Sequence, residues 1–189
     1  MEVLVIDACV GEKSRTRSLE KYIEEKVGGN ISRIRLMEEK ELYALNEELL
    51  GKRNICVQNN DFSDEMFGYA KQFMKAETII VAAPYWDLSF PAVLKKYIEA
   101  INVCGLTFRY DEKGMPVSLC KAKKLIYVTT AGGYIISDEF GYGYVNSVMK
   151  LFYAVEESIY IKAEGLDIYG ADIEGIINKA KTEADKKIK

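Results

Sequence analysis

Residues 78–101 read TIIVAAPYWDLSFPAVLKKYIEAI, and this stretch decides the fold. Its first six residues, Thr78–Ala83, form a continuous apolar run, which is typical of a strand buried on both faces of a parallel sheet. An amphipathic helix is predicted from Pro91 to Val103. The loop between them, Pro84–Asp87, places two large aromatic side chains and a carboxylate directly after a proline. Such a loop either packs as a simple chain reversal or lines a site for a flat ligand.

The alternation of strand and helix continues on both sides of this stretch. Apolar runs predict further strands at Val3–Ile6, Ile31–Leu36, Leu125–Thr129 and Ser158–Ala163. Helical periodicity predicts helices at about Thr16–Val27, Leu42–Leu50, Ser63–Lys75, Glu139–Ala154 and Asp172–Lys187. The pattern predicts an α/β fold: a doubly wound, five-stranded parallel sheet in the order 2-1-3-4-5, with helices on both faces. We expect residues 1–189 to form a single domain.

One segment interrupts the alternation, at about residues 106–120. It contains the aromatic residues Phe108 and Tyr110, then the turn-like sequence Asp111–Gly114. A hairpin-like excursion from the sheet is predicted here. An ordinary surface hairpin explains it as well as a functional one.

The composition excludes several classes of protein and of catalytic site. The chain has 189 residues, a formal net charge of −3 and no histidine. Without histidine, a Ser-His-Asp triad, a Cys-His dyad and a histidine-based metal site are all excluded. The slightly acidic balance argues against a nucleic-acid partner. No apolar run approaches the roughly 20 residues that a membrane span requires.

The cysteines and the amino terminus indicate a cytoplasmic protein. The four cysteines are scattered and form no C-x-x-C pair, which suits neither a zinc site nor a disulfide framework. Free thiols fit a reducing compartment. The first ten residues, MEVLVIDACV, lack the basic region that opens a signal peptide and are interpreted as the first strand.

In an open parallel sheet, ligands bind beyond the carboxyl ends of the strands, so the loops there are candidate sites. The loop after the first strand, residues 9–19, lacks the early glycine of a P-loop, which argues against ATP or GTP. It places Ser14, Arg15 and Thr16 at a predicted helix N-terminus, where free N–H groups and hydroxyls bind anions. Arg17 is expected to add positive charge. A plain N-cap is the simpler alternative.

The loops after the third and fourth strands are the other two candidates. In the first of these, the backbone N–H groups of residues 85–88 are expected to be free for a ligand, with Tyr85 and Trp86 packing against a ring. The alternative is a hydrophobic staple over the following helix. In the second, Gly132 and Gly133 follow a strand that ends in two threonines. Paired glycines permit positive φ and close approach of a ligand, although a tight turn needs them too.

The three loops are neighbours in a sheet of the order 2-1-3-4-5, and flavodoxin-like sheets bind FMN at the switch point between strands one and three. Three separated motifs occur here in order: A-P-Y-W-D-L-S-F-P-A-x-L-K-x-Y-I-E, then G-L-T-F-R-Y, then V-T-T-A-G-G. Together they resemble the flavodoxin-like FMN-dependent NADH-azoreductases and NAD(P)H:quinone reductases. The resemblance is best from about Thr78 to Gly170.

The resemblance implies a role for each loop. It implies that the FMN phosphate is bound by Ser14, Arg15 and Thr16. It implies that the isoalloxazine is lined by Pro84, Tyr85, Trp86 and Asp87. It implies that the pyrimidine side of the ring is contacted by Thr130, Gly132 and Gly133. The side chains expected to contact the substrate are Tyr110 and Tyr134.

The resemblance also implies partners and an activity. The family forms homodimers with active sites at the interface, and the excursion that contains Tyr110 lies near them. NADH or NADPH would reduce the flavin, and a quinone, azo or nitroaromatic acceptor would then take two electrons in a ping-pong cycle. Such a cycle requires no catalytic acid or base from the protein. Many members have Asn at the position of Asp87, whose negative charge is expected to make flavin reduction harder.

Two other functions fit the same sequence. A flavodoxin-type FMN electron carrier usually has clustered surface carboxylates, whereas this chain has 26 basic and 29 acidic residues. A cofactor-free interaction domain on the same fold would have no reason to retain all three loops. The sequence therefore favours the enzyme over both.

Overall fold

The structure, a computed structural model, describes residues 1–188 and contains one large parallel sheet. Its strands are β1 (Glu2–Asp7), β2 (Asn30–Arg35), β3 (Thr78–Ala82), β6 (Lys124–Thr130) and β7 (Glu157–Ala163), while β4 (Phe108–Tyr110) and β5 (Pro116–Ser118) form a separate pair. The five strands are all parallel and lie in the order β2-β1-β3-β6-β7. This is the predicted order 2-1-3-4-5, so the predicted flavodoxin-like fold is confirmed.

Helices cover both faces of the sheet. They are α1 (Arg15–Val27), α2 (Glu47–Gln58), α3 (Gly68–Lys75), α4 (Ala92–Ile101), α5 (Tyr144–Tyr153) and α6 (Ile173–Lys187). Side chains alternate along each strand, so that Leu4 and Ile6 pack toward α3, α4 and α5, whereas Val3 and Val5 pack toward α1 and α6. The two apolar layers explain why the strands have continuous apolar sequences. No helix within residues 1–188 is both long and apolar enough to cross a bilayer.

Three predicted helices differ from those in the structure. The helix predicted at Ser63–Lys75 is a 3-10 turn, Glu65–Phe67, followed by α3. The helix predicted at Leu42–Leu50 instead runs over Glu47–Gln58, where the Asn46 side chain caps it by accepting a hydrogen bond from Leu49 N at 2.8 Å. None of its residues is fully buried, so it has no apolar stripe from which its bounds could be read. The helix predicted from Glu139 begins as a π-helical turn, Glu139–Gly143, before α5 starts.

The predicted excursion forms an antiparallel hairpin of β4 and β5 at the amino edge of the sheet. Its turn is fixed by Asp111, whose side chain accepts hydrogen bonds from the N–H groups of Lys113 and Met115. The chain that leaves the hairpin bonds to residues just before β3: Lys123 N donates to Glu77 O at 2.9 Å. The hairpin and the carboxyl ends of the strands therefore lie at opposite edges of the sheet.

Candidate functional site

Thr130, the last residue of β6, joins two of the loops that were predicted to form the site. Its hydroxyl lies 2.7 Å from the Thr16 hydroxyl in α1, and its carbonyl accepts a hydrogen bond from Tyr85 N at 3.0 Å. The three predicted loops therefore meet at the carboxyl edge of the sheet. The Thr16 hydroxyl, which was expected to contact the phosphate, is buried and hydrogen-bonded to Thr130, whereas the Thr16 N–H has no acceptor among residues 1–188.

The N-terminus of α1 forms a cradle of backbone N–H groups. Within residues 1–188, the seven N–H groups of residues 10–16 have no hydrogen-bond acceptor. Residues 12–15 of this segment line a cavity of about 410 Å³ together with Arg17, Ser18 and Lys21. Besides Arg17, its cations are Lys13, Arg15 and Lys21, and the exposed carboxylate of Glu12 lies at its rim. Ser14 caps the helix by accepting a hydrogen bond from Arg17 N at 3.3 Å. The free N–H groups, the helix dipole and three cations together favour an anion.

Arg15 has a partner that the sequence analysis missed. Its guanidinium donates to Asp167 Oδ1 at 2.7 Å and to the Leu166 carbonyl at 3.1 Å, both in the loop after β7. Arg15 thus links the loop after β1 to a fourth loop at the same edge. Ligands bind beyond the carboxyl ends of the strands, and this rule applies to the last strand as well as to the others. The same rule could therefore have identified the loop after β7 from the sequence.

Arg17 lines the anion cavity, but its charge is balanced by the buried carboxylate of Asp7, which corrects the expectation that it adds net charge there. Its Nε donates to Asp7 Oδ2 at 2.5 Å, and only 6% of Arg17 and none of Asp7 is exposed. The hydrogen bond to Asp7 raises the pKa of Arg17. Cys9 lies in the same place, and burial raises the pKa of its thiol to about 12. Asp7 was also missed, although a carboxylate at the end of an apolar strand is an unusual residue that requires a partner.

The loop after β3 ends in a tight turn. Trp86 and Ser89 exchange backbone hydrogen bonds, with Trp86 N to Ser89 O at 3.1 Å and Ser89 N to Trp86 O at 2.7 Å. Asp87 and Leu88 between them have positive φ angles, 50° and 65°, as a type I′ turn requires. Asp tolerates this conformation but Leu does not, so Leu88 holds backbone strain at the candidate site.

This turn corrects the prediction that four N–H groups in the loop are free. Tyr85 N and Trp86 N are bonded within the protein, whereas in the described part of the chain the N–H groups of Asp87 and Leu88 have no acceptor. Pro84 and Tyr85 are half-buried, and the Tyr85 hydroxyl donates to Ser137 O at 3.2 Å. The exposed side chain of Trp86 stands at the turn, so a ring placed here would meet Trp86 and two free N–H groups.

The loop after β6 presents its N–H groups to the same region. The carbonyls of Ala131, Gly132 and Gly133 accept hydrogen bonds from the three N–H groups of residues 165–167. The N–H groups of Gly132 and Gly133 have no acceptor among residues 1–188.

One of the two reasons given for the glycine pair is wrong, because neither glycine has positive φ. At Gly132 the requirement is space: a Cβ there would lie 2.2 Å from Asp167 Oδ2. At Gly133 a Cβ would meet no protein atom within 4 Å, so the protein itself leaves room for a side chain at this position.

The two predicted substrate-contacting tyrosines lie apart. Tyr134 is 68% exposed, follows the glycine pair and lines a cavity of about 550 Å³ beside the loop after β7. Tyr110 is 53% exposed but lies in the hairpin at the amino edge of the sheet. Within one chain the structure therefore does not bring Tyr110 to the candidate site. A role for Tyr110 requires a second chain.

The geometry of the site fits a phosphate monoester attached to a flat ring. The α1 cradle supplies N–H donors and cations for the phosphate. The turn after β3 supplies an aromatic side chain and two N–H groups, and the loop after β6 supplies N–H groups from across the edge. Both are suited to a ring with polar atoms on one side. FMN has this composition.

Comparison with known proteins tests the resemblance to a family. Residues 1–188 match the family model described as a flavodoxin-like fold. The FMN-dependent NADH:quinone oxidoreductase 2 of Clostridium acetobutylicum is 36% identical over 175 residues, which cover 88% of this chain and 86% of the relative. This chain belongs to the flavodoxin-like FMN-dependent NADH:quinone oxidoreductase family. The resemblance inferred from the three motifs is thereby confirmed.

A second relative supports the family assignment, and two solved structures share the fold. The FMN-dependent NADH:quinone oxidoreductase of Coprothermobacter proteolyticus is 35% identical over 158 residues, 78% of each chain. The crystal structure of an azoreductase from Bacillus anthracis covers 98% of this chain and 97% of its own, with a TM-score of 0.83 and 23% identity. That of azoreductase AzrA has a TM-score of 0.84, 24% identity and 98% coverage of both chains. These structures show that the fold is shared.

Proposed function

We propose that this chain is an FMN-dependent oxidoreductase that passes two electrons from NADH to a quinone or azo acceptor. One observation carries the proposal: free N–H groups from the loops after β1, β3 and β6 converge at one edge of the sheet, where Thr130 bonds to the other two loops. Its relatives named as FMN-dependent NADH:quinone oxidoreductases support the cofactor, the donor and the acceptor class.

In this proposal the protein binds FMN and orients it toward the donor and the acceptor. Bound FMN would supply the two-electron chemistry that links NADH to the acceptor. The residues that would hold it are Ser14, Arg15 and Thr16 N–H for the phosphate, Pro84–Asp87 for the ring, and Thr130, Gly132 and Gly133 for its polar side. The role proposed for these protein groups is positioning and electrostatics, with no protein acid or base assigned.

We also propose the order of the reaction, the range of substrates, the location and the oligomeric state. Donor and acceptor would use one face of the ring in turn, as in a ping-pong cycle, and nitroaromatic compounds would be accepted with quinones and azo dyes. NADPH would be an alternative donor. The chain would work in the cytoplasm as a homodimer in which Tyr110 of each subunit reaches the site of the other, since Tyr110 does not reach the site of its own chain. One domain would carry the whole activity, because the family match spans residues 1–188.

An anaerobic titration tests the function. The purified protein is loaded with one equivalent of FMN, one equivalent of NADH is added, and benzoquinone follows. We expect NADH to bleach the visible flavin absorption and the quinone to restore it. In a separate steady-state assay with both substrates varied, double-reciprocal plots of rate are expected to give parallel lines. A protein that takes up no flavin would be the cofactor-free domain. A protein that takes up flavin but is not bleached by NADH would be the electron carrier.

A further inference from the structure

The Arg17 side chain lies beneath the loop after β1 and holds two of its carbonyls. Its Nη1 donates to Gly11 O at 2.7 Å, and its Nη2 donates to Cys9 O at 2.9 Å. The Asp7 carboxylate on the opposite side of the guanidinium balances its charge and also accepts a hydrogen bond from Cys9 N at 2.9 Å. One planar cation thus fixes both the start and the middle of the loop.

These contacts decide which way the neighbouring N–H groups point. In a trans peptide the C=O and the following N–H point in opposite directions. Because the Cys9 and Gly11 carbonyls face inward toward Arg17, the N–H groups of Val10 and Glu12 face outward. Neither N–H has an acceptor within residues 1–188, and Glu12 lines the cavity at the start of α1, two residues after Val10. Gly11 between them has a φ of 79°, which a glycine adopts without strain.

The remaining charges near Arg17 support a role in geometry rather than in direct binding. Arg33 bonds to Glu20 and Glu24 beneath the same loop, and its guanidinium also lies 3.7 Å from Asp7. Arg33 donates to no carbonyl of the loop in the described residues. Because Arg17 is paired with a buried carboxylate, it has little net charge to offer an anion, whereas its two carbonyl contacts set the shape of the loop.

We propose that Arg17 is the positioning residue of the phosphate site: by holding the Cys9 and Gly11 carbonyls inward, it presents the Val10 and Glu12 N–H groups to a phosphate monoester. The inference rests on the proposed function and deepens it, because it makes Arg17 responsible for selecting FMN over riboflavin, which lacks the phosphate. Arg17 itself does not touch the ligand.

The test compares the affinities of the full-length apoprotein for FMN and for riboflavin. Arg17→Lys retains the charge that balances Asp7, but a single ammonium cannot reproduce the fork that spans two carbonyls and a carboxylate. We expect its FMN affinity to fall at least about tenfold while its riboflavin affinity changes less than about twofold, since only FMN uses the cradle. Arg33→Lys is the matched control, and its ratio of FMN to riboflavin affinity is expected to equal that of the wild type.

The outcomes separate this inference from the proposed function. A folded Arg17→Lys variant with the wild-type affinity ratio overturns the role of Arg17, whereas a wild-type protein that binds neither flavin overturns the proposed function. A second measurement does not depend on a variant. When inorganic phosphate is titrated into the wild-type apoprotein, the backbone amide NMR signals of Val10 and Glu12 are expected to shift. If other amides of the cradle shift and these two do not, the inference is wrong.

Discussion

The hydroxyls of Thr16 and Thr130 lie 2.7 Å apart in a buried hydrogen bond that joins the first turn of α1 to the end of β6. Each hydroxyl has lost water, so removing one leaves the other unpaired. We expect Thr16→Val and Thr130→Val each to lower the free energy of unfolding by about 1–3 kcal/mol. The double variant should lose less than the sum of the two, because no orphaned hydroxyl remains. Urea unfolding of the four proteins measures this, and strict additivity would show that the hydroxyls do not interact.

The type I′ turn after β3 predicts that glycine is a better residue than leucine at position 88. Leu88 has a φ of 65°, and this conformation costs a non-glycine residue about 1–2 kcal/mol. We expect Leu88→Gly to raise the free energy of unfolding by about 1 kcal/mol relative to Leu88→Ala. Both variants remove the exposed leucine side chain, so the difference between their free energies of unfolding measures the cost of the left-handed backbone conformation at position 88. Equal stabilities in urea would mean that the turn is not strained.

The two glycines after β6 should respond differently to alanine. At Gly132 the new Cβ would force Asp167 away and disturb its ion pair with Arg15, so a loss of about 1 kcal/mol is expected. At Gly133 the protein leaves space for the Cβ, so Gly133→Ala and Gly133→Val should unfold like the wild type. If Gly133→Val is stable but binds FMN poorly, the side chain must collide with the cofactor. If it is stable and fully loaded with FMN, Gly133 is only part of a turn.

The sequence was sufficient for the fold, because continuous apolar strands alternating with helices leave few arrangements of a parallel sheet. It was also sufficient to predict that the three loops lie together, since the ends of parallel strands share one edge. It did not show which polar groups of a loop form hydrogen bonds or ion pairs within the protein and are therefore not free for a ligand. Thr16 was expected to bind phosphate with its hydroxyl, but a residue 114 positions away accepts or donates that bond. Arg17 was expected to add positive charge to the anion site, but it pairs with Asp7, a buried carboxylate whose need for a partner was missed.

Glu20 predicts a pH dependence of stability. It is fully buried beneath the loop after β1, and burial raises its pKa from 4.5 to about 7. Between these values the folded protein holds a proton that the unfolded chain has released, so rising pH favours unfolding. The stabilising contribution of Glu20 to the free energy of unfolding is thus largest below about pH 4.5 and is lost as the pH rises through about 7.

The substitution Glu20→Gln removes this titration. We expect the wild type to lose stability relative to Glu20→Gln as the pH is raised from about 5 to about 8, measured by urea unfolding at each pH. Glu25→Gln changes an exposed residue of the same helix and serves as the control. A difference between wild type and Glu20→Gln that stays constant or grows with pH contradicts the assignment of the proton to Glu20.

Trp86 provides a direct test of the loop after β3, because it is the only tryptophan in the chain. Its side chain is 47% exposed and stands beside the turn whose Asp87 and Leu88 N–H groups are free. If this loop lines the isoalloxazine, all of the tryptophan fluorescence of the protein comes from a residue next to the flavin. Titrating FMN into the apoprotein should therefore quench the fluorescence strongly and saturate at one FMN per chain. Since the main polar contacts of the loop come from the backbone, Trp86→Phe should retain most of the affinity while losing the signal. Flavin that binds, as judged by dialysis and colour, without quenching Trp86 would place the ring elsewhere.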